Sequence, residues 1–161
     1  MRNIFKNFKK YQIFLFFAGI ICFIVGLVGL IISSLNATFS LSDDQLGSAE
    51  FVTLDVDGYN SLISQKKSLV LFIDQEGCTT ADALEKNLTE YMNEHEFKIY
   101  RFMFSDMRET PLYKYVKYYP SAVIIREGKP IVWLKADADE DTARYNNLEA
   151  LKSWFNTYLK W

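Results

Sequence analysis

Hydrophobic and polar positions follow three different patterns along this chain. Residues 13–32 are apolar without a single charge, residues 35–49 are mostly small and polar, and from Glu50 onward short apolar runs alternate with amphipathic ones. These changes predict four segments: a basic N-terminus over residues 1–12, a membrane anchor over 13–34, a tether over 35–49 and a folded domain over 50–161. The last segment is long enough to form one hydrophobic core.

The apolar run from Ile13 to Ile32 contains 20 residues. A helix of that length, rising about 1.5 Å per residue, crosses a hydrocarbon layer of about 30 Å. A cleaved signal peptide is the alternative, but its apolar region is usually about 7–15 residues long, and Leu35 breaks the small-x-small pattern before Ala37. Basic residues precede the run and acidic ones follow it, which predicts a single-pass plasma-membrane protein with a cytoplasmic N-terminus and an extracytoplasmic domain.

Small residues recur at spacings of three and four within the predicted anchor. They are Gly19, Cys22, Gly26, Gly29 and Ser33. Such a stripe lets membrane helices approach closely, which predicts self-association of the anchor or packing against a partner. The alternative is that the glycines have no such role, because glycine is common in membrane helices.

Beyond Glu50 the apolar spacing predicts five strands and four helices. Alternating or continuous apolar runs predict the strands, and apolar residues three and four apart predict the helices. The predicted strands run from Phe51 to Leu54, Leu69 to Ile73, Phe97 to Phe104, Ser121 to Ile125 and Ile131 to Leu134. The predicted helices run from Tyr59 to Gln65, Thr79 to Glu94, Pro111 to Tyr118 and Leu148 to Leu159. This βαβαβαββα order predicts an α/β fold with a mixed sheet covered by helices on both faces.

Cys78 lies where a buried-looking strand gives way to a predicted helix that begins at about Thr79. The unpaired N–H groups in the first turn of a helix favour a thiolate, whereas the nearby Asp74, Glu76 and Asp82 oppose it. The sequence therefore predicts a thiol site but leaves the direction of its activation open.

Three features of residues 50–161 resemble the thioredoxin-like superfamily. They are Cys78 at its strand-to-helix corner, Tyr119-Pro120 directly before a strand, and the strand-turn-strand ending around Glu127-Gly128-Lys129. The resemblance implies that Pro120 is a cis-proline facing the cysteine. It also implies that an extended peptide pairs with the backbone before that proline. The peptide-binding residues that it implies are Gly77, Thr79, Thr80, Tyr119 and Pro120.

The spacing from Phe72 to Cys78 behind an anchor is also similar to the bacteriocin-transport accessory proteins of Gram-positive bacteria. Tyr113, Tyr115, Tyr118 and Tyr119 lie near the predicted groove in the sequence. They can form an aromatic rim for a peptide, or they can simply cover the sheet with their hydroxyl groups in water.

The chain departs from the dithiol pattern of this superfamily at its most important position. Ala81 occupies the place of the second active-site cysteine, and Gly77 replaces the aromatic residue that often precedes the first. The predicted strand from Leu69 to Ile73 also lacks the buried acid that many members carry. Because a mixed disulfide needs a second thiolate to resolve it, ordinary dithiol exchange is disfavoured.

Composition excludes several other functions. The net charge is -2, and no basic patch remains outside the first ten residues, which argues against nucleic acid as a partner. His95 has no second ligand at metal spacing and is expected to be solvated. The acidic run from Asp137 to Asp141 lacks the glycine of a calcium loop and is expected to be a solvated connection. No cofactor is predicted.

Three functions follow from these observations. The first is a membrane-tethered module that binds an extended peptide or a partner protein, in the export or maturation of a secreted peptide. The second is a monothiol disulfide oxidoreductase or isomerase that uses Cys78. The third is a structural subunit of a membrane complex, held by its anchor.

Overall fold

The computed structural model describes Phe17 and residues 19–28 and 38–161. Residues 1–37 and 38–161 form two separate units. In the first unit residues 19–28 are helical and include Gly19, Cys22 and Gly26. Half of the predicted anchor, with Gly29 and Ser33, and the basic N-terminus lie outside the described residues. Within the part of the chain that is described, no helix combines the length and the apolar character needed to cross a membrane.

Residues 38–161 fold around one five-stranded sheet. Its strands are β1 (Glu50–Leu54), β2 (Leu69–Asp74), β3 (Lys98–Met103), β4 (Ser121–Arg126) and β5 (Lys129–Trp133). Their order across the sheet is β1-β3-β2-β4-β5. The first three strands are parallel, and β4 and β5 are antiparallel to their neighbours. The predicted mixed sheet is confirmed.

Helices cover both faces of the sheet. They are α1 (Val56–Ser64), α2 (Thr79–His95), the single turn α3 (Phe104–Met107), α4 (Asp139–Asn146) and α5 (Leu148–Tyr158), with short 3-10 helices at Asp43–Gln45 and Pro111–Lys114. One core lies between the sheet and α2, α4 and α5, and the other lies beneath α1 and the 104–119 segment. Because β2 is covered on both faces, all six of its residues are buried, which explains the continuous apolar run from Leu69 to Ile73. The strand extends one residue further than predicted, to Asp74, which is a buried acid.

The hairpin between β4 and β5 has a loop of two residues, Glu127 and Gly128. Both have positive φ angles, 50° and 76°, the conformation that a tight hairpin turn requires. A Cβ atom on Gly128 would lie 2.5 Å from the carbonyl oxygen of Ile63. Only glycine therefore fits the second position, and the predicted Glu-Gly turn has this physical basis.

The segment 38–49, which the sequence pattern assigns to a tether, is part of the folded unit. The backbone of Phe39 bonds with Tyr158 and Lys160, each at 2.9 Å, and Leu41 is buried. Ser42 and Ser68 are joined by two hydrogen bonds of 2.9 and 3.0 Å. Because Ser68 precedes β2 and Cys78 follows it, the chain enters this unit at the end of the sheet opposite Cys78.

The acidic run from Asp137 to Asp141 was expected to be a solvated connection. Asp137, Asp139 and Glu140 are exposed as expected, but the prediction is wrong for Asp141, which is buried, and for the helical conformation of the last three residues. Asp139, Glu140 and Asp141 form the first turn of α4, where negative side chains are favourable. Asp141 is buried; its carboxylate accepts a 2.7 Å hydrogen bond from the backbone N–H of Lys135 and pairs with Arg144. A buried and hydrogen-bonded carboxylate gives no apolar signal in the sequence.

Candidate functional site

The topology brings the predicted site segments to one end of the sheet. Ile73, near the end of β2, is paired with Ser121 at the start of β4. The loop that leads to Cys78 and the dipeptide Tyr119-Pro120 therefore lie at the same end. The Tyr119-Pro120 peptide bond is cis, as the resemblance implies.

Cys78 is the N-cap residue of α2 and is half-buried. Its side chain makes no capping hydrogen bond, so the helix does not use the sulfur. Its carbonyl accepts a 2.9 Å hydrogen bond from the N–H of Ala81. Gly77 has a φ of 76°, a left-handed conformation in which a large side chain is strained. The backbone conformation at this corner therefore favours glycine.

Ala81 faces the core from the first turn of α2. It is 3% exposed and belongs to the apolar cluster between α2 and the sheet. Thr79 and Thr80, in contrast, are exposed. No disulfide is present among the described residues, where Cys78 and Cys22 are both free thiols. The place of a second active-site sulfur is therefore filled by a buried methyl group.

A charged cluster joins α2 to the sheet near the carboxyl end of β2. Arg101 on β3 pairs with Glu85 on α2, and its Nε lies 3.8 Å from Oδ2 of Asp74. The Arg101 guanidinium also lies over the ring of Phe51, 5.0 Å from its centroid. Asp74 thus has a cation as its neighbour, whereas Phe72, on the same face of β2, is fully buried and apolar.

Tyr145 on α4 is a site residue that the sequence analysis missed. Its hydroxyl donates a 2.9 Å hydrogen bond to the carbonyl oxygen of Pro120, and its own carbonyl accepts a 3.1 Å bond from the amide of Asn87 on α2. Burial, together with the Asp141 and Asp137 carboxylates, raises the pKa of Tyr145, so its hydroxyl remains a donor even at a pH near the ordinary tyrosine pKa of about 10. Tyr145 therefore links the helix of Cys78 to Pro120.

A small cavity of about 100 Å³ lies beside this link. Its lining includes Thr80 from the start of α2, Ala136 from the segment after β5, and Tyr145. Thr80 and Pro120 thus both adjoin Tyr145, one across the cavity and the other through the hydrogen bond. No sequence signal marks Ala136 or Tyr145, because their roles depend on a helix that apolar periodicity does not reveal.

The four tyrosines of the predicted rim divide into two pairs. Tyr113 and Tyr119 pack against Phe104, with ring centroids 6.2 and 4.7 Å away. Tyr115 and Tyr118 are 47% and 55% exposed. One pair therefore covers the sheet, and the other pair is available at the surface.

His95 was expected to be solvated, and this prediction is wrong. Its ring stacks on Trp161 with centroids 4.1 Å apart and lies 4.7 Å from the ring of Tyr91. Burial lowers the pKa of His95, and the nearby Glu94 and Lys152 act on it in opposite directions. Within the described residues, no group of three or more potential ligands could hold a metal ion.

Solved structures of thioredoxins share the fold of this chain over most of their own length. A mutant thioredoxin from Halobacterium salinarum gives a TM-score of 0.54 at 13% sequence identity, covering 71% of this chain and 96% of that one. Thioredoxin from Schistosoma mansoni gives 0.52 at 14% identity, covering 70% and 100%. The fold is thioredoxin-like.

At this level of identity the comparison shows the fold alone. No family model matches the chain, and no curated protein matches it. The similarity to bacteriocin-transport accessory proteins and the peptide site therefore stay predictions from the sequence.

Proposed function

We propose that this protein is a membrane-tethered, extracytoplasmic module of thioredoxin-like fold that binds an extended peptide or a partner protein. Its work lies in the export or maturation of a secreted peptide, as the similarity to bacteriocin-transport accessory proteins implies. The observation that carries the proposal is the site itself. The half-buried thiol of Cys78, which makes no capping hydrogen bond, and a cis-proline lie at one end of the sheet. The buried Ala81 occupies the position of the resolving cysteine.

Peptide binding accounts for these features better than turnover does. The residue before a cis-proline in this fold can pair with an extended chain through its backbone, which needs no second sulfur. Thr79 and Thr80 are exposed beside Cys78, and the cavity at Thr80 offers space for a side chain. The exposed threonines and the cavity support peptide binding, and the buried Ala81 in place of a second cysteine argues against dithiol turnover.

A photo-crosslinking amino acid placed at Thr80 tests this proposal in cells. We expect it to capture a specific peptide or protein, which mass spectrometry then identifies. The same amino acid at Lys86, an exposed position further along α2, is the matched control and should capture nothing. We also expect Cys78→Ser to retain both the crosslink and the cellular phenotype. Loss of both the crosslink and the phenotype in Cys78→Ser would contradict the binding module and indicate a thiol enzyme.

The location of the domain is tested by labelling Cys78 with a membrane-impermeant maleimide. Intact cells should be labelled, and Cys78→Ser should remove the label, because Cys22 lies in the predicted anchor. Labelling that appears only after lysis would place the domain in the cytoplasm.

A monothiol enzyme is the second candidate. It is favoured by the sulfur of Cys78, which makes no capping hydrogen bond and is therefore not committed to the helix. In this mechanism the Cys78 thiolate attacks a substrate disulfide, a mixed disulfide forms and one substrate thiolate leaves. An external low-molecular-weight thiolate then attacks the Cys78 sulfur and releases the second substrate thiolate. A second molecule of that thiol regenerates the Cys78 thiolate, and the two leave as their own disulfide. The variant Ala81→Cys restores a second sulfur on the same turn. It should reduce insulin disulfides if the scaffold is competent, whereas wild type and the control Ala83→Cys should not. Reduction by the wild-type protein at the rate of Ala81→Cys would favour this candidate.

A further inference from the structure

The outer edge of β5 borders two apolar grooves that meet at Tyr115. One groove, of about 210 Å³, runs between Tyr118 and Trp133. The other, of about 230 Å³, lies beside Lys129 and Pro130. Tyr115 and Tyr118 line these grooves and are 47% and 55% exposed. These residues, with Trp133, form what we call the β5 surface.

The backbone of β5 is open on the side that borders the grooves. Within residues 38–161, β4 is the only strand that pairs with β5. Leu134 donates a 2.9 Å hydrogen bond to Ala122, and antiparallel pairing alternates. The N–H and C=O groups of Trp133 therefore point toward the open edge. Lys129 and Pro130 hinder pairing at the beginning of the strand, and the register shifts at Ile131, so the usable edge is Val132 and Trp133.

The charged residues that line the grooves beside the β5 surface are mainly basic, whereas the unit as a whole is acidic. All 20 acidic side chains lie within residues 38–161, whereas four of the 18 basic ones lie in the first ten residues, so the unit is acidic. Lys117, Lys129 and Lys135 nevertheless line the two grooves, with Asp137 as the one acidic lining residue. Lys135 lies 3.7 Å from Glu140, and Lys117 lies over the ring of Tyr113.

We propose that the β5 surface binds an extended polypeptide segment in which acidic residues alternate with aromatic or β-branched ones. The segment adds as a short strand beside Trp133. Its apolar side chains enter the grooves, and its carboxylates face the lysines. This surface adjoins the peptide site at Tyr119-Pro120, since Tyr118 lies next to Tyr119 and Ala136 lines both the groove at Trp133 and the cavity at Thr80. Strand addition beside Trp133 does not use Cys78.

The test uses the full chain in detergent micelles, labelled with 15N at its three tryptophans. The probe is a nine-residue peptide in which Asp and Glu alternate with Val, Phe and Tyr. We expect saturable shifts of the Trp133 signals, with Trp154 and Trp161 as unmoved internal controls. A version N-methylated at alternate amides should bind at least about tenfold more weakly, because it cannot form the strand pairing. A version with Lys in place of Asp and Glu should not bind.

Charge reversal supplies the matched variants. Lys117→Glu/Lys129→Glu should weaken binding about tenfold, whereas Lys86→Glu/Lys160→Glu, which changes the net charge equally at exposed positions away from the grooves, should not. Equal affinity of the N-methylated peptide would overturn strand addition. Shifts of Trp133 with phosphatidylglycerol vesicles but not with the peptide would instead make this face a membrane-contacting surface. The same titration in Cys78→Ser separates this proposal from the thiol site.

Discussion

Tyr145 is the residue on which the geometry of the site depends most directly. Its hydroxyl is the hydrogen-bond partner of the Pro120 carbonyl, and both residues are buried. Removing that donor leaves a buried carbonyl unsatisfied. Such a group costs more free energy than an exposed one because no water replaces the lost bond.

We predict that Tyr145→Phe lowers the free energy of unfolding by about 1–2 kcal/mol. Urea denaturation of the full chain measures this change. The control is Tyr158→Phe, since the Tyr158 hydroxyl has no hydrogen bond within residues 38–161 and the change should cost little. Equal effects of the two substitutions would show that the bond to Pro120 does not stabilise the site.

His95 gives the stability of the protein a defined pH dependence. It is the chain's one histidine, and burial lowers its pKa in the folded state. The unfolded chain, with a histidine pKa of about 6.5, therefore binds more protons below that pH than the folded chain does. The stabilisation is present above about pH 6.5 and is lost as the pH falls through the folded pKa.

We predict that the free energy of unfolding decreases between about pH 7.5 and pH 5.5, a range in which carboxylates change little. In His95→Gln the curve should be nearly flat over the same range. Denaturation midpoints at several pH values provide the measurement. An identical slope in both proteins would assign the pH dependence to other groups.

At the scale of elements, Arg101 connects β3 with β2 and α2. Because its side chain is 27% exposed and that of Asp74 is 12% exposed, the pair is only partly shielded from water. We predict that Arg101→Met destabilises the protein by about 2–3 kcal/mol, somewhat less than breaking a fully buried pair. Glu85→Gln, which leaves Arg101 beside Asp74, should cost less. A larger loss in Glu85→Gln would mean that the helix contact, not Asp74, dominates.

The sequence predicted those elements whose burial follows a regular period. The apolar residues of β2 and the spacing of Leu84, Leu88, Tyr91 and Met92 identified the core strand and α2, and both are buried as expected. The helix α4 has only Asp141 and Tyr145 buried. One is an acid, so the helix has no apolar stripe that a sequence pattern could detect. The role of Tyr145 was hidden for the same reason.

At the scale of the whole molecule, the folded unit begins at Thr38 and not at Glu50. Phe39 and Leu41 are isolated apolar residues among polar ones, and their partners are distant in sequence. Gln45 is fully buried and donates a 3.1 Å hydrogen bond to the hydroxyl of Tyr100. Periodicity does not register such contacts, which is why a polar composition resembled a tether.

We predict that Leu41→Ala lowers the free energy of unfolding of the full chain by about 2–3 kcal/mol, because Leu41 is 5% exposed and its removal leaves a cavity. Leu46→Ala, at a position that is 43% exposed, should cost less than about 1 kcal/mol. Thermal or urea unfolding gives both values. If Leu41→Ala left the free energy of unfolding unchanged, residues 38–49 would be a tether and not part of the folded unit.

The entry point of the chain has a practical consequence. Phe39 is bonded to Tyr158 and Lys160, so the first and last residues of the folded unit leave it from the same place. Cys78 lies beyond the other end of β2, which at about 3.3 Å per residue is about 20 Å long. A purification handle, fluorescent fusion or sensor-chip linker attached at either end of residues 38–161 therefore leaves the thiol and the cis-proline unobstructed for incoming molecules.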